Sequence, residues 1–514
     1  MGILSSIGTL HSAIGEVPLQ MQPQWGLVAA WLININLEAS VEVRPVIITY
    51  RIVFAMTVVA ALSLASSFEL AARAADSEPE QISGNFADGT HWQVSKPPNW
   101  NGILILDLDG GGMTAAPRPG ATLPVHVNPA AIRDAFRKWM IAQGYAYGGT
   151  TRGPAGYRFD TVAEHLAEVH RQFAEKWPKI KYTLYTGVSR GGFAGRVAIE
   201  MKPDIFQGAL LTSGGAGEVA MMHDRLNATF ALKTLVDPAS SAKLVNITDP
   251  DAEQAALKAL VQKANLTPQG RARLALASAY VQYALWSWYA KPKPAPNDYD
   301  AQVDQMAVTI FSDYAAVRRG VEQAAGGNVS WNTGVDYADL LKCSGRQQMV
   351  EALYAKAGLD LKADLATLAH APRISADPAV IAKVEKFTSY TGKIKGPVVD
   401  VDLDDPVDPA PYDLAYLDTL KHAGTEANFK LIWADAVGHV GYSQLDRAIG
   451  LTLLVRRLDT GKWGDTSLPA LRALGEHLVK GDPDLGNCDL FDPGAITPPL
   501  FRWDVRDWDS YKGQ

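Results

Sequence analysis

Apolar residues gather in short, nearly unbroken runs over residues 103–108, 145–151, 182–186, 207–212, 398–403 and 429–433. Runs of this length predict strands covered on both faces, as in a parallel sheet. Residues 92–95 read as a further short strand. Between the runs, apolar positions recur at helical spacing over 130–143 and 159–177, and a helix-compatible run covers 193–201. Pro178 closes the second of these. Strand and helix in alternation predict an α/β fold, a mostly parallel sheet with helices on both faces.

The alternation stops after residue 216. From 217 to 395 the pattern is helical, with candidate helices at 252–264, 268–288 and 301–325 and a proline-rich spacer at 291–296. Strand and helix resume at Gly396. The simplest organisation is one α/β domain, residues 75–216 and 396–514, carrying a helical insertion at 217–395. Such an insertion lies over the carboxyl ends of the strands, where open α/β sheets bind ligands.

The first 74 residues stand apart from this pattern. Arg44 and Arg51 precede an apolar stretch at about 52–65, and Ala72-Arg73-Ala74 has the form of a small-residue cleavage site. The stretch is shorter than the roughly 20 residues that span a bilayer. It predicts a signal peptide cut after Ala74, a secreted or periplasmic protein, and no stable membrane anchor. Residues 1–43 upstream then read as an extension from a start site called too early. Export makes a disulfide between the two cysteines, Cys343 and Cys488, the expectation; two separate thiols are the alternative. The remaining composition is ordinarily globular, with 47% hydrophobic and 20% charged residues among 514. A formal charge of −7 without a basic block argues against a nucleic-acid partner.

Candidate chemistry sits where strands end. Gly187-Val188-Ser189-Arg190-Gly191 falls between a strand and a helix, the context in which G-x-S-x-G forms a nucleophile elbow. The strand at 398–403 runs into Asp404-Asp405-Pro406-Val407-Asp408-Pro409, and the strand at 429–433 leads to Gly438-His439. Serine, acid and histidine in that order resemble the α/β-hydrolase superfamily, in particular an esterase-like serine hydrolase with a helical cap. The resemblance covers roughly residues 86–216 and 396–460. It implies Ser189 as nucleophile, His439 as general base and Asp405 as the acid, with Asp408 as runner-up. A serine hydroxyl needs a base to take its proton, and a carboxylate on the far ring nitrogen fixes the histidine tautomer.

The resemblance also implies an oxyanion hole. One N–H is that of Arg190; the second comes from the loop Asp109-Gly110-Gly111-Gly112-Met113, among Gly111, Gly112 and Met113. The loop is similar to the HGGG-type loop of lipases and esterases, with aspartate in place of histidine. Met113, Arg152, His223 and Trp286 are candidates to line the substrate site. Arg152 and Arg190 fit either a substrate carboxylate or neighbouring aspartates. The expected reaction is hydrolysis of a carboxylic ester, small or polymer-derived, through an acyl-enzyme and without metal or organic cofactor. An amidase, peptidase or C–C bond hydrolase with the same triad is the alternative, and a binding protein with a decayed triad is a third reading.

Overall fold

The computed structural model describes residues 78–108, 129–151, 159–215, 218–287, 292–309, 314–375, 377–388, 390–498 and 500. The signal peptide, Gly111, Gly112, Met113 and Arg152 lie outside these residues. The first half runs β1 (Glu80–Asn85), β2 (His91–Lys96), β3 (Ile103–Asp107), α1 (Pro129–Ala142), β4 (Ala146–Thr150), α2 (Phe159–Lys176), β5 (Tyr182–Val188), α3 (Arg190–Met201) and β6 (Gly208–Thr212). Helices follow: α4 (Glu218–Val236), α5 (Pro250–Asn265), α6 (Pro268–Ala279), α7 (Tyr299–Thr309), α8 (Tyr314–Ala325), α9 (Tyr337–Cys343), α10 (Gln347–Ala357), α11 (Leu361–His370) and α12 (Pro378–Thr388). The chain then returns to the sheet with β7 (Val398–Asp402), α13 (Pro411–Ala423), β8 (Phe429–Ala434), α14 (Gln444–Thr460), α15 (Leu468–Gly481) and β9 (Leu490–Phe491).

The strands form one sheet in the order β1-β2-β4-β3-β5-β6-β7-β8-β9. From β4 through β8 every pairing is parallel; β1, β2 and β9 attach antiparallel at the two ends. The inner strands β3, β4, β6 and β7 are buried at every position, which is why they read as apolar runs. Successive side chains still face opposite ways. Leu104, Leu106, Tyr185 and Leu211 pack with Leu166, Phe173, Phe193 and Val197 of α2 and α3. Ile103, Ile105, Leu184, Leu210 and Val399 pack on the other face with Phe136, Ile449 and Leu471 of α1, α14 and α15. The helices after β6 share a separate apolar core around Leu232, Leu257, Leu276, Tyr283 and Val350. Among the described residues no helix is long and apolar enough to cross a membrane.

The structure corrects two readings, one helix end and the disulfide. The helix expected over 268–288 stops at Ala279, because Gln282 adopts a left-handed backbone, φ 54°. Its side chain donates to the Pro498 carbonyl at 2.9 Å and accepts from Leu500 N–H at 3.2 Å. The expected helix over 301–325 is helical in α7 and α8, and residues 310–313 between them lie outside the described residues. The expected disulfide is not formed: both cysteines are free thiols. Cys343 ends α9 on the surface, whereas Cys488 packs beside Gly475 of α15 in the core under the sheet.

Behind the carboxyl ends of the strands lies a dry ionic cluster. Arg196 of α3 donates to Asp400 of β7 at 2.7 Å and to Asp413 of α13 at 2.6 Å, all three fully buried. Its other terminal nitrogen donates to the Gly215 carbonyl, and Tyr416 stacks 4.3 Å from the guanidinium. Asp402 stands beside them. Asp400, Asp402 and Asp413 place one oxygen each within 4.8 Å of one another, a set that suits a metal, but the guanidinium already supplies the cation. Burial raises Asp413 to about 6 against the pull of Arg196 and pushes Asp402 well above the carboxylate range, since three adjacent carboxylates cannot all ionise in a dry site. Arg196→Met leaves those acids without their cation and should cost about 3–5 kcal/mol, read as a lowered midpoint in denaturant unfolding.

Candidate active site

Ser189 sits between β5 and α3 with φ 57° and ψ −123°, a backbone that non-glycine residues seldom adopt. Three contacts hold it there. Its N–H donates to the Thr212 carbonyl at 2.9 Å. The Thr212 hydroxyl donates to the Gly187 carbonyl at 3.1 Å, and the Tyr185 hydroxyl to the Gly191 carbonyl at 2.6 Å. The turn is tight enough that a Cβ on Gly187 would stand 2.3 Å from the Gly191 carbonyl oxygen. The second motif glycine differs: a Cβ on Gly191 meets nothing closer than 3.8 Å. Steric necessity therefore falls on Gly187, and on Gly192, whose Cβ would lie 2.8 Å from the Cα of Gly214.

Three side chains from three strand ends meet here. His439 Nε2 lies 2.8 Å from Ser189 Oγ. His439 Nδ1 lies 2.9 Å from both carboxylate oxygens of Asp405. Asp405 is fully buried and accepts backbone N–H bonds from Val407 at 2.8 Å, Asp408 at 3.2 Å and Val440 at 3.1 Å. The acid therefore accepts the Nδ1 proton, which leaves Nε2 as acceptor for the Ser189 hydroxyl. Asp408 comes no nearer than 4.0 Å to Nδ1.

Charge couples the pair. Burial lifts the Asp405 carboxyl, but the His439 ring and the Val407 and Val440 N–H groups outweigh it and hold it below the ordinary range. Burial lowers His439, but the Asp405 charge and hydrogen bond outweigh that and set it above an ordinary histidine.

A cleft opens beside Ser189. Arg190, Phe193, Gly214, Met221, Arg225, Val317, Val407 and Asp408 line it. Arg190 is the first residue of α3, so its N–H belongs to the positive end of that helix. His223 and Trp286, read from sequence as lining residues, are not part of this wall. His223 is buried against Trp331, ring centroids 4.3 Å apart, and accepts from the Trp331 N–H at 3.4 Å. Burial drives it down to about 3. Trp286 instead carries Lys293 over its ring at 5.6 Å. The cause is helical phase. Met221 and Arg225 are four residues apart on α4 and share a face, while His223, two residues from each, points the other way.

No family model matches the chain. The o-phthalyl amidase of Xanthobacter agilis is 26% identical over 431 residues, covering 77% of this chain and 91% of that protein. Similar solved structures include an esterase from Aspergillus oryzae, 11% identical with a TM-score of 0.35, over 75% of this chain and 80% of that one. Another is a serine hydrolase from Cycloclasticus zankles, 12% identical with a TM-score of 0.29, over 75% of this chain and all of that one, 100%. The chain is thus similar to an amidase, an esterase and a serine hydrolase. In this chain the serine follows β5, the aspartate β7 and the histidine β8. The sheet thus delivers all three to one edge, where parallel strands end together.

Proposed function

We propose that the protein is an exported serine hydrolase that cleaves a carboxylic ester through an acyl-enzyme. The observation that carries this reading is the continuous Ser189–His439–Asp405 contact, 2.8 Å and then 2.9 Å. Ser189 attacks the carbonyl as His439 takes its proton. The Arg190 N–H and the 109–113 loop hold the oxyanion. The imidazolium, stabilised by Asp405, protonates the leaving group, and water repeats the sequence to free the acid. The helices between β6 and β7 act as a cap over the cleft, with Met221, Arg225 and Val317 as its contribution to the wall.

An amide substrate is the second reading, favoured by the relative that is an amidase. A panel of p-nitrophenyl esters and p-nitroanilides separates the two: an esterase turns over the esters and leaves the anilides, an amidase turns over both. Intact mass after a slowly released ester tests the mechanism itself, by an acyl adduct that maps to Ser189. A reaction without that adduct rejects the acyl-enzyme. Export predicts a mature N-terminus near Ala75; one upstream of Arg51 contradicts it.

The pH profile follows from the pair. His439 must be neutral to accept the Ser189 proton. Its pKa lies above the ordinary 6.5 because Asp405 favours the charged ring. The value of kcat/KM should rise with pH through a midpoint above that figure and fall below it. In Asp405→Asn the residual activity should show the same limb displaced to lower pH.

A further inference from the structure

Two apolar residues of the cleft wall come from different helices after β6, Met221 from α4 and Val317 from α8. Met221 lies in a small apolar cluster with Val321 and Trp331, and Val317 packs against it. This cluster is separate from the larger core that the same helices share. Apolar contact holds two helices together but has no direction, so it does not fix how they stand to one another. The neighbouring residues supply the direction. Arg318, next to Val317, is fully buried. Its Nη2 donates to the carbonyl of Met222, next to Met221, at 2.5 Å. Its other nitrogens are held by α8 and the loop that follows: Nε donates to the Tyr314 hydroxyl at 2.6 Å, and Nη1 to Ser330 Oγ at 2.9 Å and to Glu322 at 3.1 Å. Glu322 in turn accepts the N–H groups of Asn246 and Ile247, both at 3.0 Å. One planar fork, fixed on α8 by Tyr314 and Glu322, thus sets where the backbone of α4 stands.

We infer that Arg318 is a positioning residue for the substrate: by tying α8 to the α4 backbone it sets the spacing of Val317 and Met221, and with it the length of apolar group that the cleft accepts. The inference rests on the serine-hydrolase reading above and adds to it a class of substrate, one with an apolar chain or ring that lies on those two side chains. Arg318 is not part of the wall and acts through Met221 and Val317. No proton or electron passes through it.

The test reads length preference in two ester series, p-nitrophenyl alkanoates from acetate to octanoate and alkyl acetates over the same lengths; p-nitroanilides of the same acids extend it to amides. In at least one series the native protein should favour one length over its neighbour by about 10-fold or more in kcat/KM, the scale on which a hydrophobic pocket reads a methylene. Arg318→Met, which lacks the donors, should flatten that preference to about 3-fold or less, with the loss on the preferred substrate falling on KM rather than on kcat. Arg318→Lys, which retains a donor for the Met222 carbonyl, should restore part of it. Glu322 keeps its two N–H partners in both variants, and Arg318→Lys decides the matter where Arg318→Met yields no folded protein. Met221→Ala should move the preference toward longer groups, and should move it less when Arg318→Met is also present, because the two changes act on one wall. Arg273→Met, which breaks an ion pair to Asp364 elsewhere among these helices, 2.8 Å in length, should leave the preference as it was. An unchanged preference in the folded Arg318 variants overturns the inference, and so does equal flattening in Arg273→Met or a native protein indifferent to length. Absence of turnover in every series, with no fluorophosphonate label on Ser189, overturns the hydrolase reading and this inference with it.

Discussion

Ser189→Ala should lower turnover on the order of 10⁶-fold, the scale at which removal of a triad nucleophile is felt. The hydroxyl that it removes is the group 2.8 Å from the His439 ring. Little else changes. Alanine keeps the Cβ, and the bonds that shape the elbow run through the Ser189 N–H, Thr212 and Tyr185 rather than through the hydroxyl. The melting temperature should stay near that of the native protein while the rate collapses. A variant that kept a tenth of the native rate would place the chemistry on another residue.

Asp405→Asn should cost about 10⁴-fold in kcat, because an amide in place of the carboxylate favours the wrong histidine tautomer. The geometry singles out this aspartate among its neighbours. Both of its oxygens lie 2.9 Å from Nδ1, and backbone N–H groups on two sides fix the carboxylate plane. Asp408, with its nearest approach at 4.0 Å, should cost far less as Asp408→Asn. Kinetics of the two variants on one ester decide the matter. A larger loss from Asp408→Asn would reverse the assignment.

Much of the scaffold was legible in the sequence for a physical reason. Strands covered on both faces must be apolar throughout, so β3, β5, β6 and β7 stand out from their surroundings. β1 does not, because an edge strand half open to solvent, Glu80-Gln-Ile-Ser-Gly-Asn, shows only Ile82 as an apolar mark. The ends of helices were less legible where long-range contacts set them. Nothing near Gln282 announces that Pro498 and Leu500 will hold it in a left-handed turn.

The site divides along the same line. Ser189, Asp405 and His439 each follow a readable strand within a few residues, so their meeting follows from strand order alone. Phe193, Met221, Arg225 and Val317 sit on helices, where the side that faces the cleft depends on packing. One signal was available: Met221 and Arg225 share a helical face and exclude His223 from it. The two cysteines show the limit of an argument from compartment. An exported chain would favour a disulfide, but Cys343 lies on the surface at the end of α9 while Cys488 packs against the core under the sheet, and both remain thiols.

The central claim is that Ser189 is an activated nucleophile. A fluorophosphonate probe tests it without knowledge of the substrate, because it reports a serine made reactive by its histidine. The native protein should take up one label, on the peptide that contains Ser189, and Ser189→Ala should take up none. An unlabelled native protein, or equal labelling of the two, would contradict the account.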